Sequence, residues 1–417
     1  MKLNACLKLF LIAACTFFCT HVTAQKIASF DVRLKANAAG LLIPVQVNLD
    51  NITALPDSSL TLLEVKGSER KEVPFQISTD GDRVLYWFAD NTTDKISYEL
   101  VQKTASINNT PVTLTTNDGM LSFNASGKKL LTYVYRTWYP PAGIDTAYKK
   151  SGFIHPFNTP HGQSLTRINA PDHYHHYGLW DPWTELLFEG DTVDCWNLKD
   201  RKGTVRFKNF VSTTQGNVYA EYKALQEHVV FKKTGGEKVM MNELQTVKVY
   251  ALPSSPDYYI MDYTIQLNCA SESPVLLLAY RYGGLGWRCT PEWNKENSMV
   301  LTSEGKDRKQ ADGSLARWCI VQGKLGDDYG GAVMMSYPAN YNHPEPLRIW
   351  PEDMNGRGDM FANFSPTKNK SWLLQPGKEY LLRYRFLVFN GKYDAQKAEV
   401  AWQYFAHPPV VNIKLTH

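Results

Sequence analysis

From Tyr259 to Leu267 apolar side chains fall on every second position: Tyr259, Met261, Tyr263, Ile265 and Leu267, with Asp262, Thr264 and Gln266 between them. A period of two is the mark of a strand with one face against a core. Leu382, Tyr384, Phe386 and Val388 repeat it against Arg383 and Arg385, and TVRFKNF (204–210) and TVKVYAL (246–252) do likewise. Asp80-Gly81, Asn117-Asp118-Gly119, Gly235-Gly236 and Asp312-Gly313 punctuate these runs with turn chemistry. One helix stands out. It starts at Asp394 as N-cap, runs to about residue 406 through AQKAEVAWQYFA, and is closed by Pro408-Pro409. The pattern predicts an all-β, mostly antiparallel protein.

The strands group into two units. Residues 25–110 hold several short strands and predict a small immunoglobulin-like β-sandwich. The polar stretch SINNTPVTLTTNDG places the boundary between 104 and 117. Residues 111–417, helix about 394–406 included, are too many for one ordinary sandwich and predict a large antiparallel β supersandwich.

Residues 1–24 read as an export signal. Lys2 and Lys8 precede or flank an apolar run, Leu9 to Cys19, too short to span a bilayer, and Val22-Thr23-Ala24 offers cleavage before Gln25. Ile12-Ala13-Ala14-Cys15 is a rival lipoprotein signal, but Thr16-Phe17-Phe18 continues the apolar run where a lipoprotein has a polar tether. Simple cleavage is favoured over lipid anchoring at Cys15, which sends the protein to the periplasm or beyond. No later stretch has the ~18–20 apolar residues of a membrane helix. The formal charge of +4 falls to +2 without Lys2 and Lys8, and there is no basic tract, which argues against a nucleic-acid partner. Cys195, Cys269, Cys289 and Cys319 survive cleavage; their spacing fits no zinc ribbon or CxxC motif. One or two disulfides or buried free thiols both suit them.

Histidine placement changes the picture most. His155, His161, His173, His175 and His176 lie within 22 residues. In an extended PDHYHHYGLW (171–180), His173 and His175 share one face, and Asp172 and His176 the other. His173 and His175 could begin a site for a divalent metal such as zinc, copper or iron. That needs a further ligand, for which His155, His161, Glu185 and His343 are candidates. The alternative is acid/base chemistry by His173, His175 and His176, with Asp172 holding a tautomer and Arg167 binding a carboxylate or oxyanion. A polar corner in which the histidines only bond carbonyls is the bland reading. In RYGGLGWR (281–288), Arg281, Trp287 and Arg288 could reach a pocket, or the glycines could mark a bulge. In NHPEPLRIWPED (342–353), His343 and Trp350 sit on a proline-rich loop. Glu243 is expected on an exposed strand face. The 11 Trp, 23 Tyr and 18 Phe include Trp180 and Trp183 beside the histidines, and such rings suit the apolar faces of sugars.

The segments YPPAGIDTAYKKSGFIHPFNTPHGQSLTR (139–167), PDHYHHYGLWDPWTELLFEGDTVDCWNLKDRKGTVRF (171–207), YGGLGWR (282–288) and SYPANYNHPEPLRIW (336–350) resemble the family of unknown function DUF6807, also labelled methane oxygenase PmoA-like. The resemblance covers roughly residues 116 to 395. It carries over His155, Arg167, Asp172, His173, His175, His176, Trp180 and His343 by motif. His161 departs from the family, where a small polar residue is more usual. By analogy of fold alone, large supersandwiches of the galactose-mutarotase kind often act on carbohydrates. The expectation is an exported carbohydrate-active lyase, hydrolase or epimerase acting on a small-molecule or glycan substrate. Its bound surface would include His155, Trp180, Trp183, Arg281, Trp287, Arg288, His343 and Trp350. A non-catalytic glycan-binding or surface-complex protein is the second expectation, and a metal-dependent oxidoreductase, following the family's label, the third. The sequence fixes neither a cofactor nor an oligomeric state.

Overall fold

The alternating runs become the long strands of the structure, a computed structural model. It describes residues 25–416 apart from 35–39, 79, 91–92, 108–110, 251 and 253–256. The expected export signal at 1–24, with Cys15, lies outside the described residues.

Eight antiparallel strands form one large sheet, in the order 203–215, 219–231, 237–250, 258–269, 379–390, 328–336, 318–325 and 298–302. A second, nine-stranded sheet faces it. Its neighbouring strands Glu345–Ile349, Phe361–Phe364, Gly286–Arg288, Leu179–Trp180 and Phe153–Phe157 run through its middle. Met261, Tyr263, Ile265, Tyr384 and Phe386 point between the sheets and meet Phe157 and Trp287 from the other side. The all-β supersandwich read from the period-two pattern is what the chain forms.

Tyr258, Ile260, Leu387 and Phe389 point the other way and are buried too. The N-terminal sandwich covers them. Its sheets order as 410–415, 25–33, 95–102, 60–66, 69–72 and as 42–48, 84–90, 75–78. Together with the helix Ala395–Ala406 they make a second core. The helix starts where its cap predicts: the Asp394 carboxylate accepts from the Lys397 N–H at 2.8 Å. Trp402 anchors it, donating from Nε1 to the Ser336 carbonyl at 2.9 Å. The last strand, Val410–Leu415, pairs with Gln25–Arg33 and so belongs to the first sandwich rather than to the unit running from 111 to 417. Nothing local marks this return, because its pairing partner lies at the other end of the chain.

The Asn117–Met120 turn follows its residues: Asp118 and Gly119 have φ of 47° and 67°, the two positive values a tight hairpin needs. Cys195, Cys269, Cys289 and Cys319 are all free thiols.

Candidate functional site

The histidine-rich stretch is a short hairpin, Ile168–Ala170 paired with His173–Tyr177. Ile168 faces Tyr177 and Ala170 faces His173, so one residue on the first strand opposes three on the second. Asn169, at φ 53°, absorbs the mismatch. The bulge overturns the expected split of faces. Rings of His173 and His175 lie 5.3 Å apart, those of His173 and His176 4.8 Å, and those of His175 and His176 4.7 Å. Alternation holds only for a regular pleat, and extra residues turn side chains that should diverge onto one side. The hairpin is fixed to the nine-stranded sheet by backbone bonds: Arg167 N–H donates to the Arg288 carbonyl, and Arg288 N–H to that of Gly178. Gly178 must lack a side chain, since its Cβ would stand 2.2 Å from the Ile154 carbonyl oxygen.

Asp172 is the hub of the cluster. Its Oδ2 accepts from His173 Nδ1 at 2.8 Å, Arg288 Nη2 at 2.8 Å and Asn355 Nδ2 at 2.9 Å. Burial alone would raise its pKa, but the bonds from His173 and Arg288 and the Arg288 charge outweigh it and hold the carboxyl well below its usual range. Asp359 balances it, accepting from the same Arg288 Nη2 at 3.2 Å and from Asn355 at 3.1 Å. Arg167 Nη1 stands 3.7 Å from Asp359, and Arg357 pairs with it at 2.8 Å. Asp359 and Asn355 were not singled out in the sequence. The only signal was two polar residues in a glycine-rich loop, NGRGD (355–359), separated from Trp350 by four residues. Arg308 shapes that loop by donating to the carbonyls of Trp350, Pro351, Gly358 and Asp359.

Aromatic rings form the floor. Trp350 lies 4.8 Å from His173 and 5.5 Å from His176, with the Arg288 guanidinium 4.4 Å from its ring centroid. His176 packs on Phe361 and Trp180 at 5.1 and 5.0 Å. Burial keeps His176 well below the ordinary imidazole pKa, and burial followed by the neighbouring His173 charge lowers His175 to about 4. Both rings are neutral near pH 7. Arg167, Asp172 and His173 keep 21%, 22% and 26% of their side-chain surface open to solvent.

Several expected contributors lie elsewhere. Trp183 and Trp287 are core residues, 1% and 0% exposed, and Trp287 donates to the Leu165 carbonyl. Trp180 backs His176 and, at 1% exposed, offers no open ring face. The largest side chains repay burial most, which is why these indoles line the interior rather than a surface. Close approach, not a solvated bulge, explains the glycines nearby: a Cβ on Gly284 would stand 3.2 Å from Trp183, and one on Gly286 3.0 Å from Trp196. Arg281 is exposed and leans on Tyr280 and Tyr282, outside the cluster. His343 is at the opposite end of the strand Glu345–Ile349 from Trp350, bonded to Ser336 Oγ at 3.1 Å and stacked on Trp402. It cannot join the rim. His155 is half-buried one strand away. It bonds Thr166 at 2.9 Å, and burial lowers its pKa to about 4. His161 pairs with Asp328 at 2.6 Å, beside a separate cavity. Among the described residues, no three His, Cys, Asp or Glu side chains are placed to hold a metal ion, so the His173–His175 pair lacks the further ligand a metal centre requires.

A second polar cluster lies inside the supersandwich. Glu243, expected to be exposed, is 0% exposed because its strand face looks into the interior. Its carboxyl accepts from Gln226 Nε2 at 2.8 Å, contacts His228 Nε2 at 2.7 Å, and shares a hydrogen bond with Asp181. Burial, reinforced by Glu243, raises Asp181 well above its normal value, and burial raises Glu243 as well. Burial also lowers His228 to about 4 and Lys150 to about 8.

A family model described as a family of unknown function, DUF6807, matches residues 120–403. No curated protein matches the chain. Among solved structures, a protein in the glycosyl hydrolase family 38 from Enterococcus faecalis is 9% identical at a TM-score of 0.42, covering 94% of this chain and 47% of that one. An alpha-mannosidase from Enterococcus faecalis V583 is 10% identical at a TM-score of 0.45, covering 94% and 46%. The chain thus spans about half the length of these two proteins.

Proposed function

The chain belongs to the DUF6807 family of unknown function, and we propose from the site it carries that it is an exported carbohydrate-active enzyme working by acid/base chemistry at the Asp172–His176 hairpin. One observation carries this reading: a part-exposed imidazole, His173, is bonded through Nδ1 to a carboxylate held anionic by a buried arginine. A fixed carboxylate on Nδ1 selects the tautomer that leaves Nε2 free to accept a proton, and it stabilises the imidazolium once formed. Lyases, hydrolases and epimerases all need such a group. His175 and His176, neutral near pH 7, supply polarity beside it without a competing positive charge. Trp350 and Phe361 keep the floor dry, which strengthens every electrostatic contact above it.

The oxidoreductase reading required a metal bound through His173 and His175, and the donors around them do not fit one. The test is turnover across a panel of glycosides and acidic and neutral oligosaccharides, followed by product analysis. His173→Ala should lower it by roughly 10²–10⁴-fold, with His173→Gln no better. An active wild type indifferent to both substitutions removes the hairpin as the reacting surface. Binding without any bond broken, on every substrate tried, points instead to a glycan-binding protein.

A further inference from the structure

Two guanidiniums converge on one carboxylate oxygen at the hairpin. Arg288 Nη2 is 3.2 Å and Arg167 Nη1 3.7 Å from Asp359 Oδ2. The Arg167 charge pushes against that of Arg288. Counting Arg357, three arginines face two aspartates, Asp172 and Asp359, so the network keeps an excess of one positive charge.

The surplus is also one of unused donors. At 3.7 Å the contact of Arg167 with Asp359 is an ion pair but too long for a hydrogen bond, and 21% of the Arg167 side chain is open to solvent. Arg288 is 1% exposed, yet its Nη1 is buried with no partner. His176 Nδ1 and Trp180 Nε1, on the floor of the same cluster, are likewise buried and unpartnered. A buried donor without a partner is costly, and such groups in a native fold call for an explanation. An arginine fork is shaped to bind a planar carboxylate through two parallel N–H bonds. A chain of contacts, each under 4 Å, joins Arg167 to His173 through Asp359, Arg288 and Asp172, so the two belong to one connected network.

We propose that the ligand of this site is an acidic saccharide, a uronate, whose carboxylate is taken by Arg167, with the buried Arg288 charge behind it and its sugar ring beside His173. This rests on the reading of the hairpin as a saccharide site. Arg167 has two roles in the assignment: it selects for charge, and it sets the carboxylate-bearing carbon against the group that moves a proton.

Calorimetric titration of the full chain tests it, using D-glucuronate, D-galacturonate and D-mannuronate, their neutral parents glucose, galactose and mannose, and galactose 6-sulfate. At least one uronate should bind about ten- to a hundredfold tighter than its neutral parent, the range expected for a hydrogen bond to a charged group. Arg167→Met should abolish that preference and Arg167→Lys restore only part of it. Equal binding of uronate and parent, or a preference that survives Arg167→Met, overturns the assignment but leaves a saccharide site standing. An Arg167-dependent preference for the sulfate ester over every uronate overturns the carboxylate. Absence of binding by every sugar overturns both this assignment and the reading on which it rests.

Discussion

Two of the histidine–carboxylate pairs among the described residues, His173–Asp172 and His228–Glu243, have surroundings that give them opposite characters. In the hairpin, His173 meets Asp172 with about a quarter of each side chain open to water, and the network ends in unused arginine donors. Between the sheets, His228 meets Glu243 with neither exposed at all, and Gln226, Gln245, Tyr222 and Tyr263 extend the network within the core. Residue type does not distinguish them. Exposure does: both clusters hold buried polar atoms without a partner, His228 Nδ1 and Gln226 Oε1 among them, but only the first is open to water and can still bind something, while the second is sealed in a core.

The largest expected effect separates them by stability. Glu243→Ala should lower the unfolding free energy by about 3–5 kcal/mol, because it leaves several buried groups unpaired and a cavity behind. His173→Ala, at the surface, should cost less than about 1 kcal/mol. Denaturant unfolding of the two variants measures both, and equal losses would erase the distinction. Trp287→Ala, in the same interior, should match Glu243→Ala at about 3–5 kcal/mol.

Acid titration sharpens the comparison from another side. His175 and His228 both have pKa values lowered to about 4, chiefly by burial. A folded state that refuses protons the unfolded chain accepts loses stability as pH falls below the unfolded value of about 6.5, and the loss levels off near pH 4. Each histidine contributes up to about 3 kcal/mol to that loss. His228→Gln and His175→Gln should each flatten the profile of unfolding free energy between pH 6.5 and 4. A His175 variant with an unchanged profile means that the hairpin is wetter than its packing indicates. Glu345 gives the opposite sign. Burial, only partly offset by bonds from Ser336, Asn340 and Tyr384, raises it to about 7. Its stabilisation is complete below about pH 4.5 and is lost as pH rises through 7, and Glu345→Gln should remove that slope.

Smaller effects concern the hairpin alone. Asp172→Asn should lower turnover by about 10–100-fold by releasing the His173 tautomer and unbalancing Arg288. Steady-state kinetics should show the loss in kcat rather than KM. Last, a chelator should leave turnover unchanged within error; a loss restored by added iron, copper or zinc would reinstate the metal reading.

Much of the fold was legible because its signals are local. Alternation from Tyr259 to Leu267 states that a strand has two unlike faces, and Asp394 with Pro408-Pro409 bounds a helix through bonds made within a few residues. The candidate site was legible as a cluster of residue types between 155 and 176. Its geometry was not. The expected faces of His173, His175 and His176 assumed a regular pleat, and the bulge opposite Asn169 brought all three rings together. Asp359 and Asn355 come to Asp172 from a loop more than a hundred residues away.

Glu243 marks the limit most plainly. Its strand and its side of that strand follow from the sequence, since both depend on neighbours one or two positions away. Whether that side meets water or the facing sheet depends on how strands distant in the chain pair and stack. By itself the sequence determined the elements, their polarity and the chemical groups at hand. Only the tertiary structure decided which histidine–carboxylate pair was sealed between sheets and which kept an open edge, because burial belongs to the contact between elements and not to any one of them.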